Sequence, residues 1–464
     1  MKSTLRILLI LAVTYAFIAP SGYAADKKHE DDALNLLKVL VPYKTAAGYG
    51  QVIPMANILV EQFRAAGFAE EDIHLIPMLE DTASLVVRLR GRDSRKKPVL
   101  FMGHLDVLDA NPSEWELDPF VVSEVEGKLI GRGVADNKDA ISLFVTTMIR
   151  LKTEGVIPTR DLILALTGDE ETGALTTKLL YTKYRHLTDA EFAFNSDAGG
   201  GNYDDEGKAV SFGIEVAEKA SMNLKLTARN AGGHSSAPRN DNAIYELADA
   251  LIKLGKYNFP IRYNDMTLNY FRESAKQRSG DIAKAMQSFA DNPDDEAAAN
   301  AINEIPDIKG FIRTTCVATM LSGGNAPSAL ARSAEATINC RIYPGVTVEE
   351  VKNKIAATIG NPSIEISDID IPEYTPGASI EIPEAFAVIK SAVQAQHPHV
   401  EPVPYMAAYT TDAKVTRSLG IPTYGVYGVY YGKGDGNSHG LNENITKQYF
   451  FDALDYWYLV MSAL

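Results

Sequence analysis

Three consecutive acidic residues stand where a strand-like run gives way to a helix. The apolar run at residues 162–166 is short and bounded, which is typical of a buried strand, and residues 167–173 follow it as Thr-Gly-Asp-Glu-Glu-Thr-Gly. Ligands of open α/β sheets bind at such strand ends. Adjacent carboxylates repel each other, so either one keeps its proton or a cation lies between them. With a divalent cation, one glutamate is a ligand and the other can move a proton; the alternative is an ordinary acidic first turn of a helix.

Residue types that bind metals recur at other strand ends and helix starts. His104 and Asp106 follow one strand-like run, and they face the same side of an extended chain. Asp106 is therefore suited to orient the His104 imidazole. Asp136 precedes a helix, and Asp197 follows another strand-like run. Each residue alone could be a helix cap or a structural histidine, but together at one sheet edge they predict a metal site.

The order of the patterns predicts an α/β protein of two domains. Strand and helix patterns alternate over residues 25–214 and again over 375–464, as in a mostly parallel central sheet flanked by helices. Residues 215–374 follow a β-α-β-β-α-β order, which predicts an inserted α+β lid domain with a small open sheet. Within it, the polar stretch 265–308 is rich in Ala and Asp and predicts a helical insertion.

Charge and the N-terminal residues restrict partners and location. A net charge of −15 argues against nucleic acid or an anionic membrane surface as a partner. Residues 1–24 have the pattern of a secretory signal, with Lys2 and Arg6 before an apolar run and small residues up to Ala24. The alternative is an uncleaved anchor, but the run is shorter than the about 20 residues of a membrane span. The sequence thus predicts an exported protein, periplasmic or secreted, without a stable membrane anchor.

The chain has two cysteines, Cys316 and Cys340, in two neighbouring strand-like runs. If the runs pair as a hairpin, an oxidising compartment would permit a disulfide. Two free buried thiols are the alternative. A metal site is not indicated here, because no histidine is near them in sequence.

As a set, the motifs resemble the di-zinc aminoacylase/carboxypeptidase family of metallopeptidases, which includes glutamate carboxypeptidase, succinyl-diaminopimelate desuccinylase, carnosinase and aminoacylase-1. The resemblance covers essentially the whole chain after the signal. The motifs that carry it are Gly103-His-Leu-Asp106, Gly131-Arg-Gly-Val-Ala-Asp136, Asp169-Glu-Glu-Thr-Gly173, Ser196-Asp197, Gly233-His-Ser-Ser236 and His439-Gly-Leu-Asn-Glu443.

The resemblance implies a complete set of metal ligands and a general base. It implies that His104 and Asp197 hold one Zn²⁺ and that Glu171 and His439 hold the other. Asp136 would bridge both ions, with a cis peptide bond to Asn137, and Asp106 would orient His104. Glu170 would be the general base that acts on a metal-bridged water. A site of nitrogen and oxygen ligands suits Zn²⁺, although Mn²⁺ or Co²⁺ could also occupy it.

The resemblance also implies substrate contacts. His234 would stabilise the oxyanion as the lid closes, Arg341 would clamp a substrate carboxylate, and Asn325 and Thr411 would lie near the substrate. Two departures from the family pattern fall in this region. Ser328 stands where relatives carry Asn, and Tyr409 stands where they carry Gly.

The function implied first is cleavage of amide bonds in peptides with a free C-terminus, by a carboxypeptidase or dipeptidase. The alternative is an aminoacylase-like hydrolase of N-acyl amino acids. A third reading, motivated by Ser328 and Tyr409, is a non-catalytic peptide-binding module on the same fold. In dimeric relatives the lid histidine acts across the subunit boundary, so a homodimer is also implied, and the 265–308 insertion could either cover or replace the dimer surface.

Overall fold

The computed structural model describes residues 26–79, 81–276, 278 and 280–464. The predicted signal, residues 1–24, lies outside the described residues and stays a prediction. None of the helices in the described part of the chain is long and apolar enough to span a bilayer.

Helices and strands alternate in the order expected of an α/β protein. The α-helices are α1 (Lys27–Leu40), α2 (Val52–Ala65), α3 (Lys138–Glu154), α4 (Leu175–Thr182), α5 (Arg185–Thr188), α6 (Ala243–Lys256), α7 (Asp265–Lys276), α8 (Gly280–Asp291), α9 (Glu296–Asn303), α10 (Pro306–Lys309), α11 (Val348–Ile359), α12 (Pro383–Gln396), α13 (Ala413–Ser418) and α14 (Lys447–Ala463). The strands are β1 (Ile73–Pro77), β2 (Ala83–Leu89), β3 (Val99–His104), β4 (Ser123–Val125), β5 (Lys128–Ile130), β6 (Leu162–Thr167), β7 (Phe192–Asn195), β8 (Gly200–Tyr203), β9 (Ala209–Glu218), β10 (Ala220–Arg229), β11 (Gly233–His234), β12 (Thr315–Gly323), β13 (Ala329–Leu330), β14 (Ser333–Ile342), β15 (Glu365–Asp370), β16 (Pro402–Ala407), β17 (Thr423–Gly425), β18 (Tyr430–Tyr431) and β19 (Asn444–Thr446).

The central sheet has the strand order β1-β2-β6-β3-β7-β17-β9-β8-β18, and β16 pairs with β9. Its middle strands β6, β3, β7 and β17 are parallel to one another. Every residue of β3 and β6 is buried, as expected of parallel strands covered on both faces. The predicted mostly parallel central sheet is confirmed.

Helices cover both faces of this sheet because alternate residues of each strand point to opposite sides. On one face, Phe101 of β3 contacts Phe144 of α3 and Trp457 of α14, with ring centroids 5.8 and 5.9 Å away. On the other face, Leu100 and Met102 belong to a second cluster with residues of α4 and α13. The middle strands are therefore held rigidly, and so are their carboxyl ends.

The lid domain is a separate antiparallel sheet with the order β12-β14-β10-β15, and α6 and α11 contribute to its apolar core. The small open sheet and the helical insertion, now α7 to α10, are as predicted. The domain boundary lies later than expected. Residue 215 was predicted to open the lid, but β9 stays in the central sheet to Glu218, so Lys219 is the connection between the two sheets.

Cys316 and Cys340 are directly opposite each other in the antiparallel pair β12 and β14. The structure joins them in a disulfide, so of the two alternatives the free thiols are wrong.

Candidate metal centre

Three neighbouring parallel strands bring most of the predicted ligands together. β3 ends at His104, β6 leads into Glu170 and Glu171, and β7 leads into Asp197. The carboxyl ends of parallel neighbours meet at one edge of the sheet. The alternation of strands and helices in the sequence is therefore sufficient to bring these four residues together.

Asp136 reaches the same place from the loop before α3. Its peptide bond to Asn137 is cis, as the resemblance implies. The Asn137 amide oxygen accepts a hydrogen bond from Ser196 Oγ at 3.0 Å. Gly103 on β3 is required here, because a Cβ at that position would lie 2.8 Å from Asn137 Oδ1.

The two histidines each lie between carboxylates. His104 Nε2 is 3.0 Å from Asp136 Oδ1 and 3.7 Å from Asp197 Oδ1. His439 Nε2 is 3.1 Å from Asp136 Oδ2 and 3.0 Å from Glu171 Oε1. Asp136 thus presents one carboxylate oxygen to each half of the cluster, which is the geometry of a bridging ligand.

Asp106 contacts both His104 and the acidic loop of Glu170 and Glu171. The hydrogen-bond partner of His104 Nδ1 is the main-chain carbonyl of Asp106, at 3.0 Å, whereas the carboxylate lies 3.5 Å away. That carboxylate instead accepts the backbone N–H groups of Glu170 and Glu171 at 3.1 and 3.0 Å. Asp106 therefore orients the imidazole through its backbone and fixes the acidic loop through its side chain.

The cluster has an excess of negative charge in a buried place. Burial raises the pKa of Asp197 to about 7. Burial, with the charge of Asp197, also raises the pKa of Glu170 well above its usual range. Hydrogen bonds to Asp136 and Glu171 raise the pKa of His439 to about 10. The carboxylates thus attract positive charge strongly to this position.

The donor set fits divalent metal ions. Ligand atoms of His104, Asp136 and Glu171 lie within 4.8 Å of one another, and so do those of His104, Glu170 and Asp197. Imidazole nitrogens with carboxylate oxygens suit zinc and its neighbours among the transition metals. Two dications would also neutralise the acids, whose burial together is otherwise unfavourable.

A cavity of about 440 Å³ opens onto the cluster, lined by Glu170, Arg341 and Thr411 among others. Arg341 donates to Thr410 Oγ1 at 3.3 Å and has no carboxylate partner among the described residues. Thr411 is fully engaged: its N–H and hydroxyl both bond the Glu218 carboxylate, at 2.8 and 3.0 Å. It shapes the cavity wall more than it offers a free group.

Two predicted substrate contacts lie elsewhere. His234 is exposed on β11, where its ring bonds Ser236 at 2.7 Å, and Asn325 is exposed in the loop before β13. Neither lines the cavity. Both residues belong to the lid domain, where His234 pairs with Ala329 of β13. Tyr409 does line the cavity, with its hydroxyl 3.3 Å from that of Tyr405.

Glu443 has a role that the sequence did not reveal. It is fully buried and accepts hydrogen bonds from Arg132 at 2.7 Å and from the N–H groups of Gly133 and Ala135 at 3.0 and 2.8 Å. It therefore joins the loop of Asp136 to the segment of His439. Its position in the last motif was visible, but its buried arginine partner, far away in the chain, was not.

Comparison with known proteins agrees with this geometry. Residues 100–463 match the peptidase family M20/M25/M40. The chain is 28% identical over 372 residues to the human N-fatty-acyl-amino acid synthase/hydrolase PM20D1, covering 78% of this chain and 72% of that protein. It is 25% identical over 387 residues to a probable carboxypeptidase S-like 2 of Dictyostelium discoideum, covering 81% and 73%.

Among solved structures, the M20 family metallo-carboxypeptidase Sso-CP2 from Sulfolobus solfataricus shares the fold. The two structures superimpose with a TM-score of 0.70 and 18% sequence identity, over 93% of this chain and 99% of that chain. The family resemblance that the motifs indicated is confirmed. The chain belongs to the peptidase family M20/M25/M40 and is a metallo-hydrolase.

Proposed function

We propose that the chain is an exported di-zinc carboxypeptidase or dipeptidase, which hydrolyses the amide bond before an amino acid with a free carboxylate. The observation that carries this proposal is the arrangement of Asp136 between His104 and His439, with the carboxylate of Glu170 beside it. Export is supported by the signal pattern of residues 1–24 and by the Cys316–Cys340 disulfide, which is typical of oxidising compartments.

In this proposal His104, Asp136 and Asp197 would hold one zinc ion, and His439, Asp136 and Glu171 would hold the other. When bound, such a pair polarises a carbonyl and lowers the pKa of a water molecule toward about 7. The main-chain carbonyl of Asp106 keeps the His104 ring in the orientation that frees Nε2 for the metal.

Glu170 is the proposed general base. Its carboxylate accepts no hydrogen bond from any residue that the structure describes, and it faces the cavity. Metal ions beside it would favour its ionised form, so that it can take a proton from the attacking water. It would then deliver that proton to the nitrogen of the leaving amine.

Arg341 is the proposed anchor of the substrate carboxylate. It lines the same cavity as Glu170, and no acidic side chain in the described ranges forms an ion pair with it. A guanidinium binds a carboxylate through two parallel hydrogen bonds, which fixes the direction of the amino acid as well as its charge.

Hydrolysis of N-acyl amino acids is the second candidate. It uses the same catalytic groups and the same free carboxylate, and it is favoured by the similarity to PM20D1, whose name describes such substrates. The acyl half of the substrate distinguishes the two candidates.

The first test is hydrolysis of a panel of dipeptides and N-acyl amino acids by residues 25–464, with Zn²⁺ and with a chelator. We expect zinc-dependent turnover that falls about 10²–10⁴-fold in Glu170→Gln, while two metal ions per chain remain bound. The neighbouring variant Glu171→Gln is the control, since it should lose metal as well as turnover. A folded enzyme with two bound metals and no activity on the panel would instead favour the binding-module reading.

We also propose a homodimer in which the His234 segment of one subunit completes the cavity of the other. This is supported by the exposure of His234 away from its own cavity and by the exposed apolar edge of the lid domain.

A further inference from the structure

A second cavity, of about 410 Å³, meets the first at Glu170. The residues that line both cavities are Glu170 and Thr410. The walls of the second cavity come from α4 and α13 in the catalytic domain and from the start of β10 and the segment after β15 in the lid domain. A substrate whose scissile amide lies at Glu170 can therefore place one half in each cavity.

Lys414 on α13 is the unusual residue of the second cavity. It is half-buried, and in the described part of the chain its ammonium group has no hydrogen-bond or ion-pair partner. It lies within electrostatic reach of Glu218 and Asp412. Those carboxylates already bond Thr411 and Thr167. A partly buried charge without a partner is unfavourable unless a ligand supplies one.

The other charged groups of the cavity are accounted for. Lys178 forms an ion pair with Glu373 at 2.7 Å. Asp370, at the end of β15, is exposed to solvent, where an ionised carboxylate needs no partner. Lys414 is thus the lysine of this cavity that remains available for a ligand.

The two cavities are alike in this respect. Among the described residues, Arg341 is the cation of the first cavity that forms no ion pair, and Lys414 is the cation of the second that forms none. Glu170 lies at the junction between them. This arrangement is complementary to a substrate that carries one carboxylate on each side of its scissile amide.

We propose that the second cavity receives the acyl half of the substrate and that Lys414 pairs with a carboxylate on it. This inference rests on the proposed function and specifies its substrate class. The preferred substrates are amino acids acylated by a dicarboxylic acid, or dipeptides whose first residue has an acidic side chain. Both present the same carboxylate to Lys414.

The test compares two matched pairs of substrates with the zinc-loaded enzyme. N-succinyl-leucine is compared with N-succinamoyl-leucine, and Glu-Leu with Gln-Leu, so that each pair differs only in the distal charge. We expect kcat/KM to favour the acid of at least one pair by about tenfold or more, mainly through KM, because a charge-assisted hydrogen bond is lost in the amide. The pair that shows the preference identifies the source of the carboxylate.

Variants of Lys414 make the assignment specific. Lys414→Met should reduce the acid-to-amide ratio to about one, and Lys414→Arg should preserve it, because these effects require a cation at this position. Lys183→Met is the matched control: it removes the same charge just after α4, outside the residues that line the cavity. Its ratio should stay within about twofold of the wild-type value.

Calorimetry separates this inference from the proposed function. The same pairs are titrated into zinc-loaded Glu170→Gln, with and without Lys414→Met, so that recognition is measured without turnover. An acid preference in binding that disappears with Lys414 supports the inference even where no substrate is hydrolysed. Equal ratios with Lys414 present and absent, in both turnover and binding, would overturn it.

Discussion

Glu443 is the residue whose replacement should most clearly separate support of the metal site from metal ligation. Its carboxylate bonds Arg132 and two backbone N–H groups of the loop that ends in Asp136. In Glu443→Gln, Arg132 stays buried without a counter-charge, and the loop loses one of its acceptors. We expect the free energy of unfolding to fall by about 3 kcal/mol and metal affinity to fall about 10–100-fold.

Thermal unfolding and zinc titration measure these two effects. Glu384→Gln is the control, because Glu384 pairs with Arg160 in a partly exposed position where Glu191 remains as a second partner. Its cost should be below about 1 kcal/mol, with unchanged metal affinity. If Glu443→Gln bound zinc as tightly as the wild type, the carboxylate would have no part in positioning Asp136.

At the scale of single residues, the sequence was informative where a metal-binding residue type stands at a strand end or a helix start. His104, Asp136 and Glu171 could be proposed because each follows a strand or precedes a helix in a motif. Lys414 could not be proposed from the sequence, because many short helices carry a lysine. Only the structure shows that its ammonium group has no hydrogen-bond or ion-pair partner among the described residues. The partners of Glu443 likewise come from distant parts of the chain, which only the fold brings together.

Among the elements, the connection between β9 and β10 contains a buried lysine, Lys219. Lys219 donates to the Arg313 carbonyl at 2.6 Å, and burial, reinforced by Arg341 and Arg313, lowers its pKa to about 7. In the unfolded chain its pKa is near the usual value of about 10.4. Between these values the unfolded state binds more protons, so raising the pH stabilises the native state; below about pH 7 both states are protonated and this dependence ends.

Comparison with Lys219→Met isolates this effect from all other titrations. The wild-type protein should gain stability relative to the variant by about 1.4 kcal/mol per pH unit above pH 7. Urea unfolding between pH 6 and 9 is the measurement. Lys225→Met, at a partly exposed position of β10 paired with Glu335, should show a difference independent of pH. A flat difference for Lys219→Met would mean that this lysine stays charged in the native protein.

The elements that the sequence missed have a common physical reason. β16 begins at Pro402 and contains Pro404, and prolines argue against a strand in the middle of a sheet. The structure accommodates them because β16 pairs with β9 alone among the described strands. β1 was also missed, a short edge strand whose burial pattern is irregular. Long or fully buried elements were predictable, whereas edge strands depend on neighbours that are distant in sequence.

At the scale of the whole molecule, the two sheets differ in how their edges are covered. β12 forms one edge of the lid sheet, and Val317, Met320 and Leu321 on it are 60%, 69% and 70% exposed. Nearby on α6, Tyr245 and Ile252 are exposed as well. An exposed edge strand with apolar side chains is a template for pairing with another chain. This surface is where the proposed homodimer would form.

Charged substitutions on this edge test that proposal. The single variants Leu321→Glu and Met320→Lys should each convert a dimer into a monomer, because each places a charge in an apolar contact. Light scattering coupled to size-exclusion chromatography measures this change. Because His234 lies outside its own cavity, the monomer should also lose turnover while it keeps its metal ions. Ile157→Lys, which changes an exposed apolar residue of the catalytic domain, should leave the dimer intact. A wild-type protein that is monomeric at micromolar concentration and fully active would contradict the shared site, and His234 would then have to reach its own cavity by closure of the lid domain.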